Sequence, residues 1–264
     1  MSSVLSKADP LISLLLGNGI KPMGIGRKAV MGMNSSRGNA LAAGVLYLLT
    51  FVSIPTLSLY GPVHDPNYVV GPGPDTPTLI GAVLEMVVAM ACIGTAVALH
   101  SVVKRQNEGV ALGFVGARIL EAATIFAGMA CLLSVVSLRQ AGAGTAALAT
   151  TQALVALYDR LFLLGQGLMP AVNALLLGSL LYRSRLVPRV LPLLGFVGAP
   201  LLLASHAAVV FGLLERVSAL AGIAALPIAL WELSLGVWLV AKGFNTSALA
   251  ELQGAFDFDR RQRR

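Results

Sequence analysis

Charge is scarce in this chain. Asp, Glu, Lys and Arg make up 12% of its 264 residues, against roughly 25% in ordinary soluble domains. With 56% hydrophobic residues and a mean hydropathy of +0.81, that shortage excludes a typical soluble fold and predicts a multi-span membrane protein. Cysteine is nearly absent. Cys92 and Cys131 both lie in apolar runs, which argues against a disulfide framework or a thiolate metal site and leaves them as small packing residues. Of three histidines, His64 falls in a connecting segment, and His100 and His206 sit at different depths of their apolar runs. No pair can hold a haem between them. No His-Glu-x-x-His, Gly-x-Ser-x-Gly or Gly-x-x-x-x-Gly-Lys occurs. No cofactor and no metal is expected, and the reading leans away from an enzyme.

What the chain does have is apolar length. Six stretches can each cross a bilayer: Gly38–Leu59, Thr78–Val103, Ala111–Leu138, Leu154–Tyr182, Val190–Leu214 and Ala219–Ala241. The expected fold class is all-α, a polytopic membrane bundle of about six helices. Pro55 is expected to kink the first span and Pro170 the fourth. Tyr60–Pro77 reads as a loop, because Pro62, Pro66, Pro72, Pro74 and Pro77 exclude a helix. It is either a lid or an inert connection. Arg139–Ala153, rich in Gly, Ala and Thr, reads as a second loop. The division expected is 1–36, a cytoplasmic N-terminal segment that is disordered or interfacial; 37–244, the six-span domain; and 245–264, a cytoplasmic basic tail. A start at Met33 is an alternative reading of the N-terminal segment.

The basic residues set an orientation. The N-terminal segment, the second-to-third turn, the fourth-to-fifth turn and the tail hold fifteen Lys and Arg; the three opposite connections hold two, Arg139 and Arg216. Positive residues stay on the cytoplasmic side, so both termini are expected there, in the bacterial cytoplasmic membrane. The net charge of +7 is thereby explained without nucleic acid; Arg260–Arg264 reads as an anchor at an anionic lipid face. The bilayer is the one firm partner. A small-molecule ligand, a membrane-protein partner and a second copy of the chain are the other candidates.

The third span carries Arg118 and Glu121 one turn apart. A charge at that depth costs about 2.5–3.5 kcal/mol on insertion scales, so partners inside the protein are required. Gly109, Gly113 and Ala117 precede Glu121 at four-residue intervals and predict a close helix contact that delivers it to an interface. At about 1.5 Å per residue, Arg118 lies about 10 Å, and Glu121 and Glu232 about 15 Å, from the inner face. These three are expected to meet near the midplane. Glu85, Asp159 and Arg160 form a second expected group, about 10 Å from the outer face, with His206 in the same half. Four carboxylates face two arginines, so any surplus carboxyl is expected neutral and hydrogen-bonded. Glu85, Arg118, Glu121, Asp159, Arg160, His206 and Glu232 are the candidate ligand or proton sites.

Several stretches together resemble a known family: Arg37-Gly38 leading into Gly44-Val-Leu-Tyr-Leu-Leu; Arg118-x-x-Glu121; Leu181-Tyr-Arg-Ser-Arg-Leu-Val-Pro-Arg189; and Trp231-Glu-Leu-Ser-Leu-Gly-Val-Trp-Leu-Val-Ala-Lys-Gly-Phe244. In order and spacing this resembles the bacterial integral-membrane family termed domain of unknown function 4386. The resemblance covers about Arg37–Phe244. It implies a helical multi-span membrane protein with no assigned activity, and its recurring charged positions are matched by Glu85, Arg118, Glu121 and Glu232. Two functions lead, with an intramembrane enzyme third. One is binding or transport of a small molecule or protons through the Arg/Glu cluster. The other is a structural or accessory membrane protein whose ion pairs serve helix assembly alone.

Overall fold

The computed structural model describes residues 24–262. Of the segment 1–36 read as disordered or interfacial, 1–23 lies outside the described residues and 24–36 is helical. The chain divides into two units, Met1–Ser36 and Arg37–Arg264. Helices in chain order are α1 Gly24–Leu49, α2 Thr56–Leu59, α3 Thr76–Val103, α4 Glu108–Gln140, α5 Leu148–Phe162, α6 Met169–Ser184, α7 Val190–Val210, α8 Ala219–Ala241 and α9 Thr246–Gln262. There is no strand among the described residues. Six spans are long and apolar enough to cross a membrane: Ser36–Leu59, Thr76–Val103, Glu108–Gln140, Gly144–Ser184, Val190–Val210 and Ala219–Ala241. The expected all-helical, six-span bundle is what forms.

The third span is central. α4 packs against α3, α5 and α6, and α7 packs against both α6 and α8. Its start is fixed locally: the Asn107 side chain accepts a hydrogen bond from the Val110 amide at 3.0 Å, with Glu108 in the first turn and Arg139 in the last, each matching the helix dipole. The main core joins Tyr47, Leu99, Phe114, Leu177, Leu202 and Trp231, so all six spans share one apolar interior. Outward faces are apolar too: Val83, Met86 and Met90 on α3, Ile119 and Leu120 on α4. In a bilayer this is the solvated surface, and backbone polarity is closed inside the helices.

Three expectations are corrected. First, the Arg139–Ala153 loop is much shorter. α4 runs to Gln140, and helix resumes at Leu148 after a 3-10 turn, Gly144–Ala147. Ala147 and Thr151 are buried, so packing overrides a composition that suits a loop. Second, the Gly109–Gly113–Ala117 row makes no tight contact. Gly109 and Gly113 are exposed, and a Cβ on Gly113 would meet Leu176 at an ordinary 3.7 Å. Close approach occurs elsewhere: a Cβ on Gly44 would stand 2.8 Å from the Gly236 carbonyl, and one on Gly198 2.8 Å from the Ile228 amide. Third, the fourth span does not simply bend at Pro170. It passes through one wide π turn, Leu163–Gly167, just ahead of that proline.

The Tyr60–Pro77 loop is pinned. Tyr60, Val63, Tyr68 and Val69 are buried. The Tyr68 hydroxyl donates to Asp75 at 2.6 Å, Arg139 makes an ion pair with the same carboxylate, and its Nε donates to the Gly71 carbonyl at 3.2 Å. At the opposite end Arg37 donates to the Leu239 and Val240 carbonyls at 3.1 and 2.8 Å, satisfying the last turn of α8.

Candidate functional site

Arg118 is 1% exposed, and every neighbour of its guanidinium comes from the bundle interior. Nη1 donates to Glu121 Oε2 at 2.9 Å, one helical turn on, and to Cys92 Sγ at 3.6 Å. Nη2 stands 3.8 Å from Glu232 Oε1 on α8. The planar group lies 4.8 Å from the Tyr47 ring, a cation–π contact in a dry environment. Asn173 on α6 donates to Glu121 Oε2 at 2.8 Å. The two carboxylates are therefore unequal. Glu121 accepts two hydrogen bonds and is committed to Arg118. Glu232 has only a loose ion pair, and its side chain keeps 14% of its surface exposed.

That exposure opens into a cavity of about 230 Å³, lined by Glu121, Glu232, Gln166, Thr50, Ser53 and apolar side chains that include Phe51, Ile54 and Leu202. Its walls coincide with interrupted helices. The first span breaks at a 3-10 turn, Thr50–Ser53, ahead of Pro55. Hydroxyls satisfy the carbonyls there: Thr50 donates to Tyr47 O at 2.7 Å, Ser53 to Thr50 O at 3.0 Å and Thr56 to Ser53 O at 2.6 Å. The fourth span contributes its π turn through Gln166, and Pro170. α7 and α8 carry internal prolines, Pro200 and Pro227, beside the lining residues Leu202, Ala225 and Ile228. Irregular backbone inside a bilayer is tolerated where protein or a cavity surrounds it, and four spans share that irregularity here.

A second polar group lies toward the Tyr60–Pro77 loop. Glu85, fully buried, accepts from Gln166 at 3.0 Å and from the Tyr158 hydroxyl at 3.3 Å. Tyr158 in turn lines another cavity of about 270 Å³ with Tyr60, His64 and Arg216. Asp159, half-buried, accepts from His64 Nε2 at 3.1 Å and pairs with Arg216 at 2.9 Å. His64 Nδ1 lies 2.7 Å from the Tyr60 carbonyl, which can only accept. Both ring nitrogens thus face acceptors, and the imidazolium satisfies both. The Asp159 hydrogen bond, followed by the Tyr60 carbonyl, raises the His64 pKa against burial, which lowers it.

Of the sequence candidates, the structure brings Arg118, Glu121 and Glu232 together. It does not join Glu85 to Asp159 or Arg160. Arg160 is exposed, and the cation at Asp159 is Arg216. His206 turns inward on its own helix: Nδ1 faces the Leu202 carbonyl at 2.8 Å, and the ring packs on Gly167 of the π turn. Sequence reasoning passed over Tyr47, Tyr158, Asn173, His64 and Arg216. Asn173 and Gln166 carried a signal, being polar and seven residues apart on one apolar span. His64 and Arg216 carried none, since loop closure alone brings them to Asp159. Among the described residues no group of three or more His, Cys, Asp or Glu is placed to hold a metal.

Residues 42–243 match the sequence model of a family described as a domain of unknown function (DUF4386). No curated protein and no solved structure matches the chain.

Proposed function

The chain belongs to this DUF4386 family, and with no activity to inherit from it we propose, on geometry, a membrane protein that binds and moves a small cation in exchange for protons. The observation carrying this is the cavity lined by Glu232 and Glu121, with Arg118 outside its lining and tied to Glu121 at 2.9 Å. One guanidinium faces two carboxylates, so the centre is one positive charge short when both are ionised. A proton or a monovalent amine-type cation supplies that charge, and the two compete for Glu232. Arg118, Glu121, Asn173 and Tyr47 hold the shape; Glu232 does the exchange. The groups that line the cavity, two carboxylates, two hydroxyls and an amide, offer mainly acceptors to a donor-rich ligand. Glu85, held by Tyr158 from the outer cavity and Gln166 from the inner one, is the relay between them. The basic asymmetry places both termini on the cytoplasmic side of the bacterial inner membrane in this reading.

Reconstitution in liposomes with an internal pH dye tests it. A gradient of methylammonium or guanidinium is expected to drive proton movement through the wild-type protein. Glu232→Gln is expected to abolish it without loss of the folded protein, and Glu85→Gln to slow it. If Glu232→Gln leaves flux unchanged, or if no cation drives flux in wild type, the cluster serves assembly alone.

A further inference from the structure

A cavity of about 770 Å³ lies away from the acidic centre, where two chain reversals meet. One is Arg185–Arg189, between α6 and α7; the other is Lys242–Thr246, between α8 and α9. The Asn245 amide donates to the Leu186 carbonyl at 2.9 Å and ties the two together. Arg185 has φ 55°, a left-handed conformation uncommon for a residue with a Cβ. It is held there by the burial of Leu186 and Val187 directly after it. Gly243, at φ 74°, makes the matching reversal on the other strand of chain. The cavity is therefore a built shape with fixed turns on both sides.

Its lining is one-signed. Arg185, Arg189 and Lys242 face it, and no Asp or Glu does. Among the described residues none of the three has an acidic partner within ion-pair distance. The basic asymmetry of the loops accounts for cations at this end, but not for their convergence on one concavity. Trp238, one turn before Lys242, forms part of the wall and is the aromatic type found at headgroup level. Below it the same helix ends expose Val190 and Leu193 on α7 and Leu233 and Val237 on α8, a surface for acyl chains. Thr246 places the first turn of the 17-residue α9 at the rim, adding backbone amides to the positive field.

We propose that this cavity binds a phosphate monoanion, carried by the headgroup of an anionic phospholipid whose chains lie along α7 and α8. Arg185 and Arg189 supply planar donor pairs to the phosphate oxygens, and Lys242 a point charge. The site is independent of the cation exchange proposed for Glu232.

The test uses the full chain purified in a neutral detergent, with thermal stability as readout, because a ligand of the folded state alone raises it. Three probes are compared: dihexanoyl phosphatidylglycerol, dihexanoyl phosphatidylcholine and inorganic phosphate. Stabilisation is expected with phosphatidylglycerol, less with inorganic phosphate and none with phosphatidylcholine. In the variant Arg185→Asn, Arg189→Gln, Lys242→Gln the apparent affinity is expected to fall roughly 100-fold; Asn tolerates the left-handed conformation. Lys242→Gln alone, at an exposed position, is the second variant and is expected to weaken binding about 5-fold without changing the unliganded melting point. Equal response of wild type and both variants, or no response to either anionic probe, overturns the site. Equal stabilisation by inorganic phosphate and phosphatidylglycerol overturns the lipid as its source.

Discussion

Arg118 holds the acidic centre together by charge, and its removal leaves two carboxylates without their cation. Breaking a buried pair from one side costs about 3–5 kcal/mol. Arg118→Met is expected to lower stability by that order in detergent unfolding. The double variant Arg118→Met, Glu121→Gln is expected to recover part of it, a non-additivity that a double-mutant cycle reads directly. His64 acts at the other end with a pH signature. Its folded pKa lies above the unfolded value of about 6.5. Its contribution is complete below about pH 6.5 and is lost as pH rises through the folded value. Asp75 has the opposite sign. The Tyr68 hydroxyl, then Gln140 and Arg139, hold its carboxyl below the usual range against burial, so its contribution stands above about pH 4 and is lost only as pH falls through the folded value. Of these two contacts, only that of His64 changes between about pH 5.5 and 8.5. Amide protection across residues 63–67, taken relative to the base-catalysed intrinsic rate at each pH, is expected to fall over that range in wild type and to stay flat in His64→Gln.

Helix contacts give a pair of opposite outcomes from one chemical change. Gly44→Ala drives a methyl into the backbone of α8, 2.8 Å from the Gly236 carbonyl and the Val240 amide, and is expected to cost about 1–3 kcal/mol. Gly113→Ala meets only Leu176 at 3.7 Å and is expected to be neutral or stabilising by up to about 1 kcal/mol, through helix propensity. Melting curves in one detergent separate the two. The pair also marks what the sequence made legible. Six apolar windows and their order could be read, because span length is set by bilayer thickness. Depth counting grouped Arg118, Glu121 and Glu232, because rise per residue is constant in a helix. Rotation about each helix axis could not be read from these windows. The Gly109–Gly113 row therefore pointed to a tight interface, yet those glycines are exposed. The π turn was hidden as well. Nothing in Leu163–Gly167 announces a wide turn, and that turn sets how Gln166 faces Glu85.

At the scale of the molecule, orientation is the first thing to measure. A reporter joined after Arg264 is expected to remain in the cytoplasm, and one inserted at Gly142 to be exported. Finding both on the same side would break the six-span alternation. The Arg37 clip has a further bearing. By grasping the Leu239 and Val240 carbonyls, and with Gly44 seated on Gly236, the beginning of the membrane domain is fastened to its finish. The bundle is a ring with its join hidden, so the order in which ribosome and insertion machinery deliver the helices is not written into the final contacts. A rearranged gene that starts in the turn after Val103, splices Phe244 to Arg37 through a short linker and stops at Val103 omits α9 but keeps each of the six spans in its native direction across the bilayer. Evolution could thus have started reading this circle from another point and reached the same object.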